Sequence, residues 1–146
     1  MYPIAKGLLI KGETGMEAFG RKLARALGAG DAVYLHGEMG MGKSVLARAI
    51  AREFGVKGPM PSPSFTILEC YEADIPVKHF DLYRLEDRSE FYEAGLDEEM
   101  DPKSLSIVEW PEMTDYLPLR RIDVTITRGS AEDERIAEIP AEGIPE

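Results

Sequence analysis

"HGEMGMGKSVLARAI", residues 36–50, places three glycines, a lysine and a serine between an apolar run and a helix-like run. Its pattern Gly37-x-x-x-x-Gly42-Lys43-Ser44 has the spacing of a phosphate-binding loop, the Walker A motif. The motif is informative where a strand precedes it and a helix follows it. "AVYLHG" (32–37) is typical of a strand buried on both faces, and "KSVLARAIAREFG" (43–55) of a helix ended by glycine. The stretch therefore predicts a strand, a loop and a helix in that order.

The residue types in the loop suit a nucleotide phosphate chain. Glycines let the backbone turn its N–H groups towards phosphate oxygens, and the helix that begins near Lys43 adds the positive end of its dipole. Lys43 supplies a mobile positive charge for the β- and γ-phosphates, and the Ser44 hydroxyl is a ligand for Mg²⁺. The flanking strand and helix disfavour the alternative of a glycine-rich turn beside a surface lysine. The loop therefore predicts a site for a nucleoside triphosphate and Mg²⁺.

A phosphate-binding loop that does chemistry also needs a carboxylate near the metal, and two residues qualify. Asp81 follows the strand-like "VKHF", and Glu109 follows "SIV". Because parallel strands end at one edge of a sheet, both side chains are expected to face the phosphates. The alternatives are a turn residue for Asp81 and an edge carboxylate for Glu109. Their spacing leaves open which of the two binds Mg²⁺ and which positions water.

The remaining segments complete the set of elements. Met16, Phe19, Leu23 and Leu27 indicate a helix that Thr14 caps and the cluster from Gly28 to Asp31 ends. "DRSEFYEAGLDEEM" (87–100) indicates one short acidic helix, and the prolines of "VKGPMPSPS" (56–64) a loop. Strand patterns occur in "KGLLIKG" (6–12), in the hairpin pair "FTILECYEA" (65–73) and "VKHFDLYRL" (77–85), in "LSIVEW" (105–110), and in "RRIDVTITRG" (120–129) and "ERIAEI" (134–139), which should pair at a sheet edge.

These elements predict an α/β fold of the P-loop NTPase type. Its sheet is mixed, with a parallel centre and antiparallel strands, and helices cover both faces. At 146 residues the chain is long enough for one domain, which we assign to residues 1–139, with 140–146 as a frayed tail. No apolar stretch is long enough to span a membrane, and the N-terminus does not resemble a signal peptide. A single cysteine also suits a cytoplasmic protein.

The charge disfavours a protein that grips nucleic acid directly. Acidic residues outnumber basic ones by 27 to 17, giving a formal net charge of −10 and a pI near 4.7. Binding to a phosphate backbone normally needs a basic face. "YLPLRRIDVTITR" (116–128) is the one stretch that hints at such a face, and we interpret it as a strand with solvated ends.

Four other residues have side chains that could take part in catalysis. His36 precedes the loop and is expected to pack beneath it. Cys70 and His79 have the chemistry of a nucleophile and a base, but half-buried strand positions are the stronger interpretation, and their spacing offers no ligand pair for zinc. Trp110, beside Glu109, is either core filler or an aromatic lid on the site.

Four motifs in register resemble the TsaE family: Gly37–Ser44, "SPSFT" (62–66), "HFDLYRL" (79–85) and "VEWPE" (108–112). The likeness runs from about Gly12 to about Ile136. It implies a cytoplasmic Mg²⁺-dependent ATPase that is required for threonylcarbamoyladenosine modification of tRNA. The implied partners are the TsaD and TsaB proteins, whose complex the ATPase resets between turnovers, with tRNA contacted weakly or only indirectly.

The resemblance also implies a role for each matching residue. Ser44 and Glu109 would bind Mg²⁺, Asp81 would orient or activate the attacking water, and Trp110 would lie at the active site. Thr66 would sense the γ-phosphate at the end of a switch loop that begins at Ser62. The phosphates and base would lie against Glu13, Thr14, Glu38, Met39, Gly40, Met41, Gly42, Lys43 and Ser44.

Two other functions fit a phosphate-binding loop. A small P-loop kinase would phosphorylate a metabolite, but the arginine-bearing lid of such kinases is not evident in the sequence. A nucleotide-dependent interaction module would bind ATP without hydrolysing it. Slow turnover is expected for an ATPase of this kind by itself, because phosphoryl transfer needs more charge neutralisation than one lysine and one metal ion supply. No arginine is clearly placed as a finger, since Arg84, which is near Asp81 in the sequence, is more simply a solvated strand end.

Overall fold

The computed structural model of the chain describes residues 7–60 and 66–139. The strands are β1 (Leu8–Lys11), β2 (Ala32–His36), β3 (Leu68–Tyr71), β4 (Val77–Asp81), β5 (Leu105–Glu109), β6 (Arg121–Arg128) and β7 (Glu134–Glu138). The helices are α1 (Gly12–Ala24), α2 (Lys43–Glu53), α3 (Ser89–Glu93) and α4 (Leu96–Glu99), and a 3₁₀ turn covers Pro111–Met113. The tail 140–146 and the segment 61–65 lie outside the described residues.

The strands form one seven-stranded sheet in the order β1-β7-β6-β2-β5-β4-β3. The central strands β6, β2, β5 and β4 are parallel, and β1, β7 and β3 pair antiparallel. This arrangement confirms the predicted mixed sheet with a parallel centre. Because β2, β4 and β5 run in the same direction, their carboxyl ends meet at one edge, where the glycine-rich loop follows β2.

Alternation along the strands divides the core into two clusters, one on each face of the sheet. Val33 and Leu35 of β2 face α1 and α2, whereas Tyr34 packs on the other face with Phe91 of α3 and Leu96 of α4. Helices therefore cover both faces, as predicted. The same alternation in β4 and β5 turns their last residues towards α2.

Helix α1 begins earlier than the sequence predicts, and Thr14 is not its cap. The helix starts at Gly12, directly after β1, with Lys11 as an N-cap residue that makes no side-chain capping bond. The Gly12 N–H donates to the Asp133 carbonyl oxygen at 2.8 Å. A tertiary contact therefore fixes the start, and Thr14 is exposed in the first turn. The helix ends at Ala24, so Leu27 packs on the core from the turn that follows.

Two further details differ from the prediction. The acidic segment 87–100 contains two short helices, because Gly95 adopts a left-handed conformation (φ 73°) that separates α3 from α4. Strands β6 and β7 do pair, but β1 adds to the outer side of β7 and takes the edge. Of the helices in the described part of the chain, none has the length and apolar character that a membrane crossing requires.

Replacing Gly20 with valine is expected to lower the free energy of unfolding by about 3 kcal/mol, because α1 and α2 pack too closely for a side chain there. A Cβ atom on Gly20 would lie 2.6 Å from Ala49 Cβ and 3.3 Å from the Leu46 carbonyl oxygen. Neither atom belongs to the mobile end of a side chain, so one helix would have to shift. Urea-induced unfolding measures the change.

Gly28→Ala is the matched control for this substitution. A Cβ atom on Gly28 meets no heavy atom within 4 Å, so the variant should stay within about 0.5 kcal/mol of the parent chain. A Gly20→Val protein as stable as the parent would contradict the close helix packing.

Candidate nucleotide-binding site

The predicted phosphate-binding loop connects β2 to α2 at the carboxyl edge of the sheet. Gly42 is the N-cap of α2 and holds a left-handed conformation (φ 98°), which a side chain at this position would strain. A Cβ atom on Gly37 would lie 2.8 Å from the Ile126 carbonyl oxygen of β6. Both glycines are therefore needed for the path of the backbone. The loop leads into the amino end of an 11-residue helix, the kind of terminus that favours anions.

Lys43, the first residue of α2, is buried with its ammonium group inside the site. Nζ donates a hydrogen bond to the Gly37 carbonyl oxygen and lies 3.8 Å from the centre of the Trp110 ring. Burial lowers the pKa of Lys43, while the nearby carboxylates of Glu109, Glu112 and Asp81 act in the opposite direction. The side chain thus holds a desolvated positive charge that phosphate oxygens can approach.

Ser44 and Glu109 meet although 65 residues separate them. Ser44 Oγ lies 3.5 Å from Glu109 Oε1, at the long limit for a hydrogen bond. Glu109 is the last residue of β5 and is buried, and alternation of the strand points it at α2. The two oxygens converge as two ligands of one cation would.

Asp81 lies beside Glu109, because the two residues are partners in the parallel register of β4 and β5. Asp81 Oδ1 accepts a hydrogen bond from the Tyr83 N–H at 3.0 Å. Burial raises the pKa of Asp81, and the Glu109 carboxylate adds to the rise, whereas the Tyr83 N–H, His79 and Lys43 lower it. The site therefore holds two adjacent carboxylates. The pKa of Asp81 is raised, and Glu109 faces the Ser44 hydroxyl.

Trp110 forms a wall of this site. It is the one non-glycine residue with a positive φ in the described part of the chain (φ 58°), and its indole covers Lys43. Tyr83 also packs against the indole, with ring centres 5.0 Å apart. Strained backbone of this kind is concentrated at functional sites, because the surroundings must impose it. Of the two sequence interpretations of Trp110, the position at the site is the one that the structure supports.

These groups surround a cavity of about 550 Å³, a size typical of small-molecule sites. The residues that line it are Met39, Gly40, Gly42, Lys43, Ser44, Val45, Thr66, Asp81, Tyr83, Arg84, Glu109 and Trp110. The structure thus brings together most of the residues predicted for phosphates, metal and water. Thr66 is at the rim, where its hydroxyl donates to Glu69 Oε1 at 2.7 Å. Ser62 to Phe65, the rest of the predicted switch loop, lie outside the described residues.

A second cavity, of about 330 Å³, shares Gly40, Gly42 and Val45 with the first and extends from the loop towards α1. Its other lining residues are Gly12, Glu13, Met16, Met41, Asp133 and Arg135. Arg135 Nη2 donates to the Gly40 carbonyl oxygen at 3.3 Å and so ties β7 to the loop. Glu13 is therefore placed beside a space next to the phosphate loop. Thr14 lines neither cavity, and Glu38 is exposed at the start of the loop.

His79 is more buried than the half-buried strand position that the sequence predicts. Its Nε2 lies 2.6 Å from Glu109 Oε2, and the exposed fractions of the two side chains are 7% and 5%, so the histidine is buried rather than half-buried. The spacing of His79 and Asp81, two residues apart on one strand, was the available signal, because it places both on one face.

Cys70 pairs with Lys78 in the register of β3 and β4 and so faces the other side of the sheet. Cys70 and His79 therefore do not form a catalytic pair.

Two other candidates from the sequence, a histidine and a basic stretch, form pairs with carboxylates. His36 Nε2 lies 2.9 Å from Asp123 Oδ1, which ties the last residue of β2 to β6. Two of the three arginines of residues 116–128 are also near carboxylates, Arg120 with Asp31 at 2.7 Å and Arg121 with Asp123 at 2.9 Å. These contacts support the interpretation of that stretch as a strand rather than a nucleic-acid surface.

The donor set suits a hard cation that keeps several waters. Within residues 7–60 and 66–139, no three His, Cys, Asp or Glu side chains cluster into a cage for a metal ion. Mg²⁺ does not need such a cage, since it commonly takes one or two protein oxygens and completes its shell with water and phosphate. Ser44 Oγ and Glu109 Oε1 provide oxygens of the required kind beside the loop.

Comparisons with known proteins agree with the fold and the motifs. Residues 10–137 match the TsaE family, "Threonylcarbamoyl adenosine biosynthesis protein TsaE". The chain is 36% identical over 108 residues to tRNA threonylcarbamoyladenosine biosynthesis protein TsaE of Bacillus subtilis, which covers 73% of this chain and 66% of that protein. The protein of the same name from Haemophilus influenzae is 32% identical over 139 residues, covering 91% of this chain and 87% of that one.

A solved structure gives the same result for the fold. The crystal structure of YdiB from Bacillus subtilis superposes with a TM-score of 0.73 at 25% identity, covering 95% of this chain and 87% of that one. The sheet order and the loop described above therefore belong to a fold already seen in a crystal.

Proposed function

The chain belongs to the TsaE family of tRNA threonylcarbamoyladenosine biosynthesis proteins, and on this premise we propose that it binds ATP with Mg²⁺ and hydrolyses ATP. The hydrolysis would act on a complex of TsaD and TsaB and allow it repeated turnover. The resemblance noted in the sequence points to these partners, and the site geometry supports the ATPase chemistry.

One arrangement carries the proposal. A lysine, a hydroxyl and two carboxylates from three segments of the chain converge on a single cavity beside the amino end of α2. Lys43 and Ser44 come from α2, Asp81 from β4 and Glu109 from β5. Phosphoryl transfer relies on positioning and charge stabilisation, and these are the groups that it needs.

Each residue of the site has a distinct proposed role in ATP binding or hydrolysis. Lys43 exchanges the Gly37 carbonyl oxygen for phosphate oxygens, and the N–H groups of the loop bind the rest of the chain of phosphates. Ser44 and Glu109 would hold Mg²⁺, which neutralises charge on the β- and γ-phosphates when bound. Asp81 orients the attacking water and accepts its proton, a role that suits a carboxylate whose pKa is raised by burial.

The second cavity is the proposed place for the nucleotide base. It joins the phosphate loop at Gly40 and Gly42, and Glu13 and Asp133 provide carboxylates that can accept hydrogen bonds from an amino group. Arg135 braces this side of the loop. Thr14 is exposed on α1 outside this cavity, so we assign the base contact to Glu13 rather than to Thr14.

The protein partners fit the charge of the chain better than tRNA does. The formal net charge is −10, and two of the three arginines of residues 116–128, Arg120 and Arg121, already lie beside Asp31 and Asp123. An acidic ATPase can drive a tRNA-modifying assembly by docking on its proteins, with tRNA contacted weakly or indirectly. We place it, like that assembly, in the cytoplasm.

The first test is ATP binding and hydrolysis by the purified chain. We expect Mg²⁺-dependent ATP binding, detectable through the fluorescence of Trp110, which is the only tryptophan. Turnover alone should be slow, on the order of 10⁻⁴ to 10⁻³ s⁻¹, as for P-loop enzymes without an arginine finger. Phosphate release measures the rate, and it should change when the TsaD–TsaB pair is added. An equal rate with and without the pair would count against the coupling.

Two other outcomes would replace the proposal. Transfer of label from [γ-³²P]ATP to an organic product in a metabolite extract, instead of to free phosphate, would indicate a kinase. ATP binding without any hydrolysis, alone or with the TsaD–TsaB pair, would indicate an interaction module.

A further inference from the structure

The two oxygens of the Glu109 carboxylate face different partners. Oε1 lies 3.5 Å from Ser44 Oγ, on the side of the phosphate loop. Oε2 lies 2.6 Å from His79 Nε2, on the side of β4. One oxygen is therefore directed at the proposed cation position, and the other is held by the protein.

The position of His79 follows from the sheet. His79 and Asp81 are two residues apart on β4, so both lie on the face that carries Glu109. His79 is the register partner of Ile107, which lies two residues before Glu109. The imidazole therefore reaches diagonally across to the carboxylate. A buried polar side chain needs a partner, and Glu109 is the hydrogen-bond partner that the structure gives His79.

We propose that His79 is a positioning residue for the metal-binding carboxylate. It donates Nε2–H to Glu109 Oε2, fixes the orientation of the carboxylate, and leaves Oε1 as a single ligand beside the Ser44 hydroxyl. The inference rests on the proposed function, because it concerns the same Mg²⁺ site. Hydrogen bonds that orient metal ligands typically contribute a factor of 10 to 100 to metal affinity or activity.

The readout that separates this role from a purely structural one is the magnesium gain, defined as the Kd for ATP in EDTA divided by the Kd in excess Mg²⁺. Titration calorimetry measures both constants on the full chain. His79→Leu should reduce the gain by about tenfold and leave the Kd in EDTA unchanged. His79→Gln should keep most of the gain, because its amide N–H reaches about as far as Nε2. His79→Asn is too short to do so and should lose it.

A double-mutant cycle tests whether His79 acts through Glu109. In a Glu109→Gln background, His79→Leu should cause no further loss of the magnesium gain. His36→Gln is the matched control, since His36 also pairs with a carboxylate, Asp123, but on the opposite face of the sheet. Its magnesium gain should equal that of the parent chain.

The outcomes decide the matter in each case. A parental gain in His79→Leu, or equal gains in the Gln and Asn variants, would overturn the positioning role and leave the proposed function intact. A loss of equal size in the Glu109→Gln background, or in His36→Gln, would overturn it as well. If His79→Leu does not fold, the Gln and Asn pair gives the answer. A parent chain without any magnesium gain would instead overturn the proposed Mg²⁺-dependent function itself, and the role of His79 with it.

Discussion

Asp81→Asn is expected to reduce ATP hydrolysis by a factor of about 100 to 1,000, because a carboxamide cannot accept the proton of the attacking water. The substitution keeps the size of the side chain and the oxygen that accepts from the Tyr83 N–H. It also removes a charge from a half-buried position beside Glu109, where the pKa of the acid is raised. The fold should therefore tolerate it, and ATP affinity should be retained. Phosphate release and titration calorimetry measure the two effects.

Asp74→Asn is the control for the same chemical change. Asp74 is exposed in the β3–β4 connection, at the opposite end of β4 from Asp81, and the variant should hydrolyse ATP at the parental rate.

The Asp81→Asn variant also shows which of Asp81 and Glu109 binds Mg²⁺ and which positions water, the question that the sequence spacing left open. A parallel loss of the magnesium-dependent ATP affinity would make Asp81 a metal ligand. Full activity in Asp81→Asn would exclude a catalytic part for this residue.

The central strands and the loop were predictable because their signals are local. An apolar run, a glycine pattern and a helical repeat follow one another in residues 32–55, and each is readable without knowledge of distant residues. The meeting of Asp81 and Glu109 was also accessible, since parallel strands bring their carboxyl ends to one edge. Register confirms that the two residues are direct partners.

The features that were missed depend on register and on tertiary contacts. The hydrogen bond of His79 to Glu109 joins residues 30 apart, and it requires both the parallel pairing and the face of each strand. The start of α1 at Gly12 depends on a bond to Asp133, at the far end of the chain. The cover of Trp110 over Lys43 depends on a left-handed backbone that is rare for tryptophan. Local pattern carries none of this information.

The break in the acidic segment was different, because its signal was present. Gly95 lies inside "DRSEFYEAGLDEEM", and glycine is the residue that most readily takes the left-handed conformation that ends a helix. The structure shows this conformation between α3 and α4. The sequence therefore contains the signal that predicts two helices in residues 87–100, whereas it contains no signal for the position of Thr14 inside α1.

Lys43→Met is expected to weaken the binding of Mg²⁺–ATP by a factor of about 10 to 100, the usual contribution of a charged hydrogen bond of about 1.5 to 3 kcal/mol. Hydrolysis should fall below detection. The folded protein should be no less stable, which is the more informative half of the prediction. Only 5% of Lys43 is exposed, and burial lowers its pKa, so the folded state disfavours the charge that the ligand needs. Methionine fills similar space and keeps contact with the Trp110 ring.

Lys103→Met is the control, since Lys103 is exposed just before β5, at the end of that strand opposite Glu109. It should change neither ATP affinity nor the thermal unfolding midpoint. A midpoint for Lys43→Met well below that of the parent would mean that the bond to the Gly37 carbonyl oxygen and the Trp110 contact stabilise the fold. A midpoint at or above the parental value, with ATP affinity lost, would show that the buried ammonium is retained for its ligand, because a residue kept for folding would not be removed without loss of stability.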